Sequence, residues 1–330
     1  MLYDDCLYGK VEINEPLLLD IMASHAMQRL KGVSQHGVTA LLGITPPFSR
    51  FDHSVGAMLL VRRLGADLHE QLGALLHDIS HTAFSHVIDF VFDDQRGQSY
   101  HEEKKEEFVA ATDIPAILSR HGLDWQAYMD EEQYSLLEQP SPALCADRLD
   151  YFLRDLEFLS LARHDEIQNA VDSLAVVDGR IVVKHVETAR WLAYTFIETD
   201  RTSWSNFREV GLYQVTAEAI KAARRHGFLD EADLWGSDEL LWNKLQSAGH
   251  PEIHRWVALI SPGTRFTRDE DQPIFTVSTK VRSIDPPVAD GNSVMPYSAI
   301  DPVFALYRQE YVNSKQGRWP MGIVNAVTVS

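Results

Sequence analysis

The spacing of apolar positions predicts a chain that is mainly helical over its first two thirds. Leu18, Ile21, Met22 and Leu30 fall at near-helical intervals, so a first helix is expected over 15–32, stopped by Gly32. Thr45-Pro46-Pro47 forces an extended turn, because a proline disfavours helical backbone in the residue before it. A second helix is expected from near His53, with Val55, Met58 and Leu59 on one face. Leu68, Leu72, Leu75 and Leu76 stand at i, i+4, i+7 and i+8, the stripe of a core-facing helix. Helical patterns resume over 102–111, 143–161, 186–200 and 205–226.

Two segments break that periodicity. Ala175-Val176-Val177 and Ile181-Val182-Val183 flank Asp178-Gly179, which predicts a small β-hairpin inserted among the helices. After a short helix around Glu239–Gln246, the run Ile274–Val281 is rich in β-branched residues and partly alternates, so it is expected to be a strand. Pro286-Pro287 ends any continuation, and Gly, Asn, Ser and Pro are frequent from there to 298. The expected architecture is therefore mainly α: a helical bundle over 1–228, carrying the hairpin, and a mixed α+β C-terminal lobe over 229–330.

Composition narrows the class. The chain has 330 residues, 45% of them hydrophobic, and 48 acidic against 30 basic side chains, a formal charge of −18. A protein that tracks nucleic acid needs a basic face, so nucleic acid is not an expected partner. A small anionic substrate stays compatible, because a few convergent cations override a distant field. Two cysteines, Cys6 and Cys145, cannot build a disulfide framework, and the acidic start Met1–Cys6 lacks the basic and apolar regions of a secretory signal. No apolar run approaches the ~18 residues of a membrane span. A cytoplasmic protein is expected.

The chemistry concentrates in His77–Asp89, which holds three histidines (His77, His81, His86) and two aspartates (Asp78, Asp89) in thirteen residues. Imidazole nitrogen and carboxylate oxygen both suit divalent ions, but adjacent helical side chains diverge by about 100°. His77 and Asp78 therefore need an ion near the helix end and further ligands from elsewhere. Arg50-Phe51-Asp52-His53 offers an imidazole and a guanidinium at a helix start, and Asp147–Asp155 offers carboxylates on a helix. On a helical wheel Leu149, Phe152, Leu153, Leu156 and Leu159 share one face, and Asp147, Tyr151, Arg154 and Asp155 the other. Asp147, Tyr151 and Asp155 form an i, i+4, i+8 row that one ligand could meet.

These motifs resemble the HD superfamily of metal-dependent phosphohydrolases, whose signature His53…His77-Asp78…Asp147 reproduces. Within it the chain is similar to the deoxynucleoside triphosphate triphosphohydrolases of the SAM-and-HD-domain type, without the SAM domain. Tyr8–Ile13, Gln28–Gly37, Arg50–Gly56, His77–His86, Asp147–Asp155 and Leu212-Tyr213-Gln214 carry the likeness, over roughly residues 8 to 226. The resemblance implies an HD-domain helical bundle in which His53, His77, Asp78 and Asp147 hold one divalent ion (Mn, Fe, Zn, Ni or Mg), with a second Mg accompanying the nucleotide. It implies Arg50 and Arg148 on the triphosphate, His81, His86 and His101 as catalytic histidines, and Asp89 orienting His86. Gln35 and Asp155 would hold the sugar 3′-hydroxyl, Tyr151 and Tyr213 would pack on the sugar, and Gln214 would lie near the base. The chain departs from the pattern at His36, where the family has a leucine, and at Thr82-Ala83, where a small residue followed by proline is usual.

The function so implied is hydrolysis of (deoxy)nucleoside triphosphates to nucleoside and triphosphate by metal-activated water attack at the α-phosphorus. His86, kept as imidazolium by Asp89, would protonate the leaving oxygen. The alternatives are a nucleotide phosphomonoesterase or phosphodiesterase on the same site, and a non-catalytic nucleotide-binding regulator. Relatives assemble, so a homo-oligomer is expected. Lys280 and Arg282 are expected on a solvated strand face, with binding of an anion as the alternative, and the His101–Glu107 run on an exposed helix with only His101 functional.

Overall fold

A computed structural model of the chain describes residues 1–290 and 293–324. It is mainly helical with three small sheets. The N-terminal strands Leu2–Asp5 and Gly9–Glu12 form a hairpin, which the apolar pattern did not predict. The helix expected over 15–32 is broken into Pro16–Ala23, His25–Arg29 and the 3-10 turn Leu30–Gly32. Ser24 makes the break: its backbone is extended and its hydroxyl accepts the Met27 N–H at 3.2 Å, so it caps a new helix.

Two helices that carry the site start from strong local caps. Arg50–Arg63 begins in a capping box, Ser49 Oγ accepting from Asp52 N at 3.2 Å and Asp52 Oδ2 from Ser49 N at 3.0 Å. That places its start three residues before the expected one and puts Arg50 and His53 on its first turn. Leu68–Leu76 is capped by Asp67, which accepts from Glu70 N at 2.9 Å. It ends at Leu76, so His77 and Asp78 sit where the chain leaves the helix. The turns that follow pass through Phe84 and Ser85 at φ 60 and 50 before a short helix, Val87–Val91. Gly37 permits this crossing, since a Cβ there would lie 2.4 Å from the Phe84 carbonyl oxygen.

Ala146–Phe158 packs across Arg50–Arg63, and Val186–Thr199 packs behind it. The insertion hairpin forms as expected, Leu174–Val177 with Arg180–Val183, and both turn residues take positive φ (Asp178 49, Gly179 72). Val183 then pairs in parallel with Val288, extending the hairpin into a four-stranded sheet with Pro287–Asp290 and Ser293–Pro296. The segment after 229 also supplies the helices Asp238–Ser247, Pro251–Val257 and Pro302–Lys315. Two further strands, Arg265–Arg268 and Phe275–Val277, flank Trp319–Val324.

Two apolar clusters hold the molecule together. The first joins the helices around Arg50–Arg63 and takes in Ile284, Val288, Tyr297 and Phe304. The second surrounds Phe207–Arg225 and takes in Leu241, Ile253, Val277 and Met321. Residues after 229 thus contribute to both clusters. The strand expected over 274–281 is only three residues long. Its ladder stops at Val277 because the next amide, Ser278 N, donates instead to Gln95 Oε1 at 2.7 Å. Among the described residues no helix is long and apolar enough to cross a membrane.

Candidate metal centre and substrate cavity

The first turn of Arg50–Arg63, the end of Leu68–Leu76 and the first turn of Ala146–Phe158 meet at one point. His53 Nε2 and His77 Nε2 face each other at 3.2 Å. Asp147 Oδ1 lies 2.9 Å from the first and 3.4 Å from the second. Asp78 brings one oxygen within 3.7 Å of each imidazole. Both rings have their other nitrogen engaged: His53 Nδ1 with Asp150 Oδ2 at 2.8 Å, and His77 Nδ1 with the Ala74 carbonyl at 2.7 Å. Each Nδ1 is thereby engaged away from the centre, and with an ion bound each Nε2 would present its lone pair to it.

This donor set fits a divalent ion. Ligands ~2.1 Å from a cation stand roughly 3.0 Å apart at right angles and ~3.4 Å apart in a tetrahedron; His53, His77 and Asp147 stand 2.9 to 3.4 Å apart, and Asp78, 3.7 Å from each ring, would close in on a bound ion. Charge gives the same answer, because the carboxylates demand a cation between them. Burial alone would lower His77, yet Asp78 and Asp147 push it up to about 10. Burial would raise Asp78, yet Arg50, His77 and His81 hold it well below the carboxylate range.

A buried ion-pair network that the sequence reading missed sets the His53 ring. Asp150, fully buried, takes Arg154 on both oxygens at 2.8 and 3.1 Å and the Tyr8 hydroxyl at 2.9 Å. Arg154 also donates to Asp5 at 2.8 Å. The guanidinium lies so close to the neighbouring helix that a Cβ on Gly56 would stand 1.9 Å from Arg154 Nη2. Arg154 therefore faces away from Asp147 and Asp155, although the wheel grouped them. Its i, i+4 spacing from Asp150 was the available signal.

A cavity of about 770 Å³ opens beside the four donors, a size suited to a nucleotide. Arg50, Lys105, Arg148, Lys280 and Arg282 bring five cations to its wall, beside carboxylates that include Glu102, Glu131, Glu138 and Asp155. Arg50 is aimed by two contacts, Nε to Ser85 Oγ at 3.0 Å and Nη1 to Asp78 Oδ2 at 2.7 Å. Its Nη2, together with Gln35 Oε1, the His81 ring nitrogens and His101 Nδ1, is buried without a hydrogen-bond partner. Buried polar groups are rarely left so, and this cluster lines a single cavity. Arg148 lines it too, but its guanidinium donates to the Ala143 carbonyl at 2.7 Å and the Gln139 carbonyl at 3.2 Å.

The three histidines come together as expected: His81 stacks on His101 at 3.8 Å, and His86 meets His81 edge-on at 5.1 Å. His81 Nε2 lies 3.1 Å from Asp78 Oδ1, so the donor set continues toward the cavity. His86 Nδ1 pairs with Asp89 Oδ2 at 3.0 Å, and Asp89 Oδ1 accepts the Tyr100 N–H. The expected imidazolium does not follow. Burial, then Arg50, His81 and His101, hold His86 well below the usual histidine range, and burial pushes Asp89 up to about 7. Both directions disfavour a charged imidazolium–carboxylate pair in the free protein.

The nucleoside end differs more from expectation. Both Asp155 oxygens are occupied, by His36 Nε2 at 2.6 Å and Trp204 Nε1 at 2.5 Å, and the side chain is buried. Asp155 lines the cavity with each oxygen already accepting one hydrogen bond, one of them from His36, the residue that departs from the family pattern, so a sugar hydroxyl would have to share an oxygen with these donors. Trp204 reaches it from five residues, Asp200–Trp204, wound as π-helix at the end of Val186–Thr199. Gln214 is not in the cavity wall; it bonds to Gln95 at 3.1 Å and Glu218 at 2.9 Å. Gln35, Tyr151, Asp155 and Tyr213 do line the cavity.

Glu209, missed in the sequence, stands behind Tyr213 and accepts from Thr39 Oγ1 at 2.9 Å. Burial pushes its carboxyl up to about 7. The folded chain thus keeps a proton that the unfolded chain releases near pH ~4.3. Glu209's contribution to stability is full below that pH and is lost as pH rises through about 7. At ~1.4 kcal/mol per pKa unit the swing reaches a few kcal/mol. Glu209→Gln is expected to flatten the decline in unfolding free energy between pH 5 and 7.5, measured by urea denaturation. Coincident slopes for the variant and the natural protein would mean that Glu209 is ionised in the fold.

Two imidazoles and two carboxylates drawn from three helices, beside a nucleotide-sized cavity, define the centre of a metal-dependent hydrolase. Residues 50–155 match the HD domain family. A metal-dependent phosphohydrolase of Cordyceps militaris, cns2, is 37% identical over 324 residues, 96% of this chain and 93% of its own length. The uncharacterized protein YdhJ of Bacillus subtilis is 35% identical over 315 residues, 95% of this chain and 96% of that protein. The deoxynucleoside triphosphate triphosphohydrolase SAMHD1 of Danio rerio is 24% identical over 239 residues, 56% of this chain and 38% of that one. A phosphohydrolase structure from Bacteroides thetaiotaomicron shares the fold, with TM-score 0.71 over 97% of this chain and 98% of that one at 18% identity. The chain belongs to the HD-domain family of metal-dependent phosphohydrolases.

Proposed function

We propose that the protein hydrolyses nucleoside triphosphates, releasing nucleoside and intact tripolyphosphate. The observation that carries this reading is a nucleotide-sized cavity beside the metal donors to which Arg50 Nη2, Lys280 and Arg282 present donors that no carboxylate among the described residues holds. The wall also carries carboxylates, so it is these uncommitted cationic donors, and not the net charge of the cavity, that argue for a polyanionic substrate there. The distant likeness to a SAMHD1 triphosphohydrolase supports the same substrate class.

His53, His77, Asp78 and Asp147 would hold the ion, which supplies Lewis-acid polarisation of a phosphoryl oxygen and an acidified water. The chain's own residues do the rest. Asp150 and the Ala74 carbonyl fix the two ligating rings. Arg50 presents Nη2 to a phosphate oxygen while Asp78 and Ser85 hold its other nitrogens. A bound polyanion would favour the imidazolium of His86, reversing the effect of Arg50, and His86 would then give its proton to the leaving oxygen. Tyr151, Trp204 and Tyr213 supply flat surfaces for the nucleoside.

A nucleotide phosphomonoesterase is the second reading, favoured by the prior engagement of Arg148 with two carbonyls, which leaves fewer donors for distal phosphates. Phosphorus NMR of turnover separates the two, using a panel of dNTPs, NTPs and nucleoside monophosphates with Mn, Fe or Mg. Tripolyphosphate as first product is expected. Orthophosphate from monophosphates alone would establish the second reading, and pyrophosphate as first product would overturn both. Absence of turnover with every ion would favour a nucleotide-binding regulator. Assembly into a homo-oligomer, proposed from the resemblance, is checked by light scattering.

A further inference from the structure

The HD match ends at residue 155, but the cavity wall does not. Thr279, Lys280, Val281 and Arg282 cross it from the far end of the chain. Their backbone is held at several points. Gln95 accepts the Ser278 N–H at 2.7 Å, and Gln98 on the same loop accepts from Arg282 Nη2 at 2.5 Å. On the other side Ser141 Oγ donates to the Ser283 carbonyl at 3.1 Å, and Asp285 N donates to the Pro142 carbonyl at 2.9 Å. A segment anchored so often is a built part of the wall rather than a loose tail.

Within it, Lys280 makes no hydrogen bond or ion pair through its ammonium among the described residues. Arg282 has Gln98 alone, a neutral partner, and its side chain is only partly buried. Lys105, another cavity cation, is by contrast fully engaged by Glu131. Two cations held two residues apart, with no carboxylate among the described residues within ion-pair distance, repel one another; Glu102, Asp147 and Glu138 offset this at Lys280 from further off, and an anion between the two cations would relieve it directly.

We infer that Lys280 and Arg282 bind the distal phosphates of the substrate, so that the C-terminal segment reads the length of the phosphate chain while Arg50 meets the phosphate that reacts. The inference rests on the triphosphohydrolase reading for its substrate but not for its test. A lone orthophosphate satisfies the metal side of the cavity, whereas a tripolyphosphate chain spans from there toward Lys280 and Arg282. Selectivity for the longer anion is therefore the property that the pair supplies.

The test is calorimetric titration of the protein as purified with inorganic tripolyphosphate and with orthophosphate. The natural protein is expected to bind tripolyphosphate the more tightly. Each charge-assisted contact is worth ~10-fold in affinity, so Lys280→Gln should weaken tripolyphosphate roughly 10-fold and the Lys280→Gln/Arg282→Gln double variant roughly 100-fold. Orthophosphate affinity should change less than about twofold, since neither contact reaches it. Unchanged tripolyphosphate affinity in the double variant, or equal losses for both anions, would overturn the inference. If this selectivity is found while turnover yields no tripolyphosphate, the triphosphohydrolase reading fails and the polyphosphate-binding pair stands. Lys280 is exposed to the cavity, so its substitution leaves the core untouched.

Discussion

Replacing Asp147 by alanine is expected to remove the divalent ion and the hydrolytic activity together. Asp147 Oδ1 stands 2.9 Å from His53 Nε2 and 3.4 Å from His77 Nε2, so it closes the donor set on the side that opens to the cavity. Three neutralised or neutral donors hold a divalent cation far less tightly than a set with two carboxylates, because the ligand charge is halved. Lewis-acid stabilisation is worth several kcal/mol in the transition state, so activity should fall by roughly 10³ or more. The fold should survive, since the Asp147 side chain is a quarter exposed and its loss leaves no buried charge unpaired. Metal analysis on protein purified without added metal, paired with turnover, checks this. Full metal occupancy with activity within tenfold of the natural protein would sink the four-ligand centre.

Arg154→Ala should be the most destabilising of the single changes considered. Its guanidinium is 2% exposed and is the shared partner of Asp5 and Asp150, themselves 1% and 0% exposed. Removing one member of a buried ion-pair network leaves uncompensated charge, which costs about 3–5 kcal/mol. Here two carboxylates are stranded. The effect should also reach the metal, because Asp150 loses the clamp that orients it toward His53 Nδ1. Loss of such outer support typically weakens metal affinity ~10–100-fold. Urea denaturation gives the first quantity and metal titration the second. Arg154→Lys, which keeps the charge but not the forked geometry, should fall between the two proteins. A loss below about 1 kcal/mol for the alanine variant would show that Asp5 and Asp150 do not depend on this cation.

The two expectations differ in how far the sequence foretold them. His53, His77, Asp78 and Asp147 were legible because each belongs to a local pattern: a helix start, a helix end, an acid on a helix. The structure brings all four within 3.7 Å of a neighbour. Arg154 was legible as a residue but not as a role, since a wheel gives the direction of a side chain and not what waits there. Gly56, by lacking a Cβ, and Asp5, from the N-terminal hairpin, decide that Arg154 lies flat against Asp150. The same limit explains Asp155 and Gln214. Asp155 was read as a sugar ligand, but His36 and Trp204, 119 and 49 residues away, occupy both its oxygens. Gln214 is diverted by Gln95.

Element prediction divides along the same line. The hairpin over 174–183 needed only β-branched runs and a turn dipeptide able to take positive φ, and it formed. The helix over 15–32 failed at Ser24, whose hydroxyl competes for a backbone amide, and the strand over 274–281 failed at Ser278, whose amide is captured by a glutamine from another loop. The first competitor is local. The second lies 183 residues away and has no signature in the segment that it truncates.

By itself, then, the amino-acid sequence determined the helical class and singled out four donors for a divalent ion, because helix periodicity, capping and donor chemistry are properties of short segments. Tertiary structure alone decided the burial that disfavours a charged His86, the engagement of Asp155 by His36, and the place of Lys280 and Arg282 in the cavity wall. Burial, electrostatic neighbours and backbone anchoring are sums over residues far apart in the chain, and no window along it contains them.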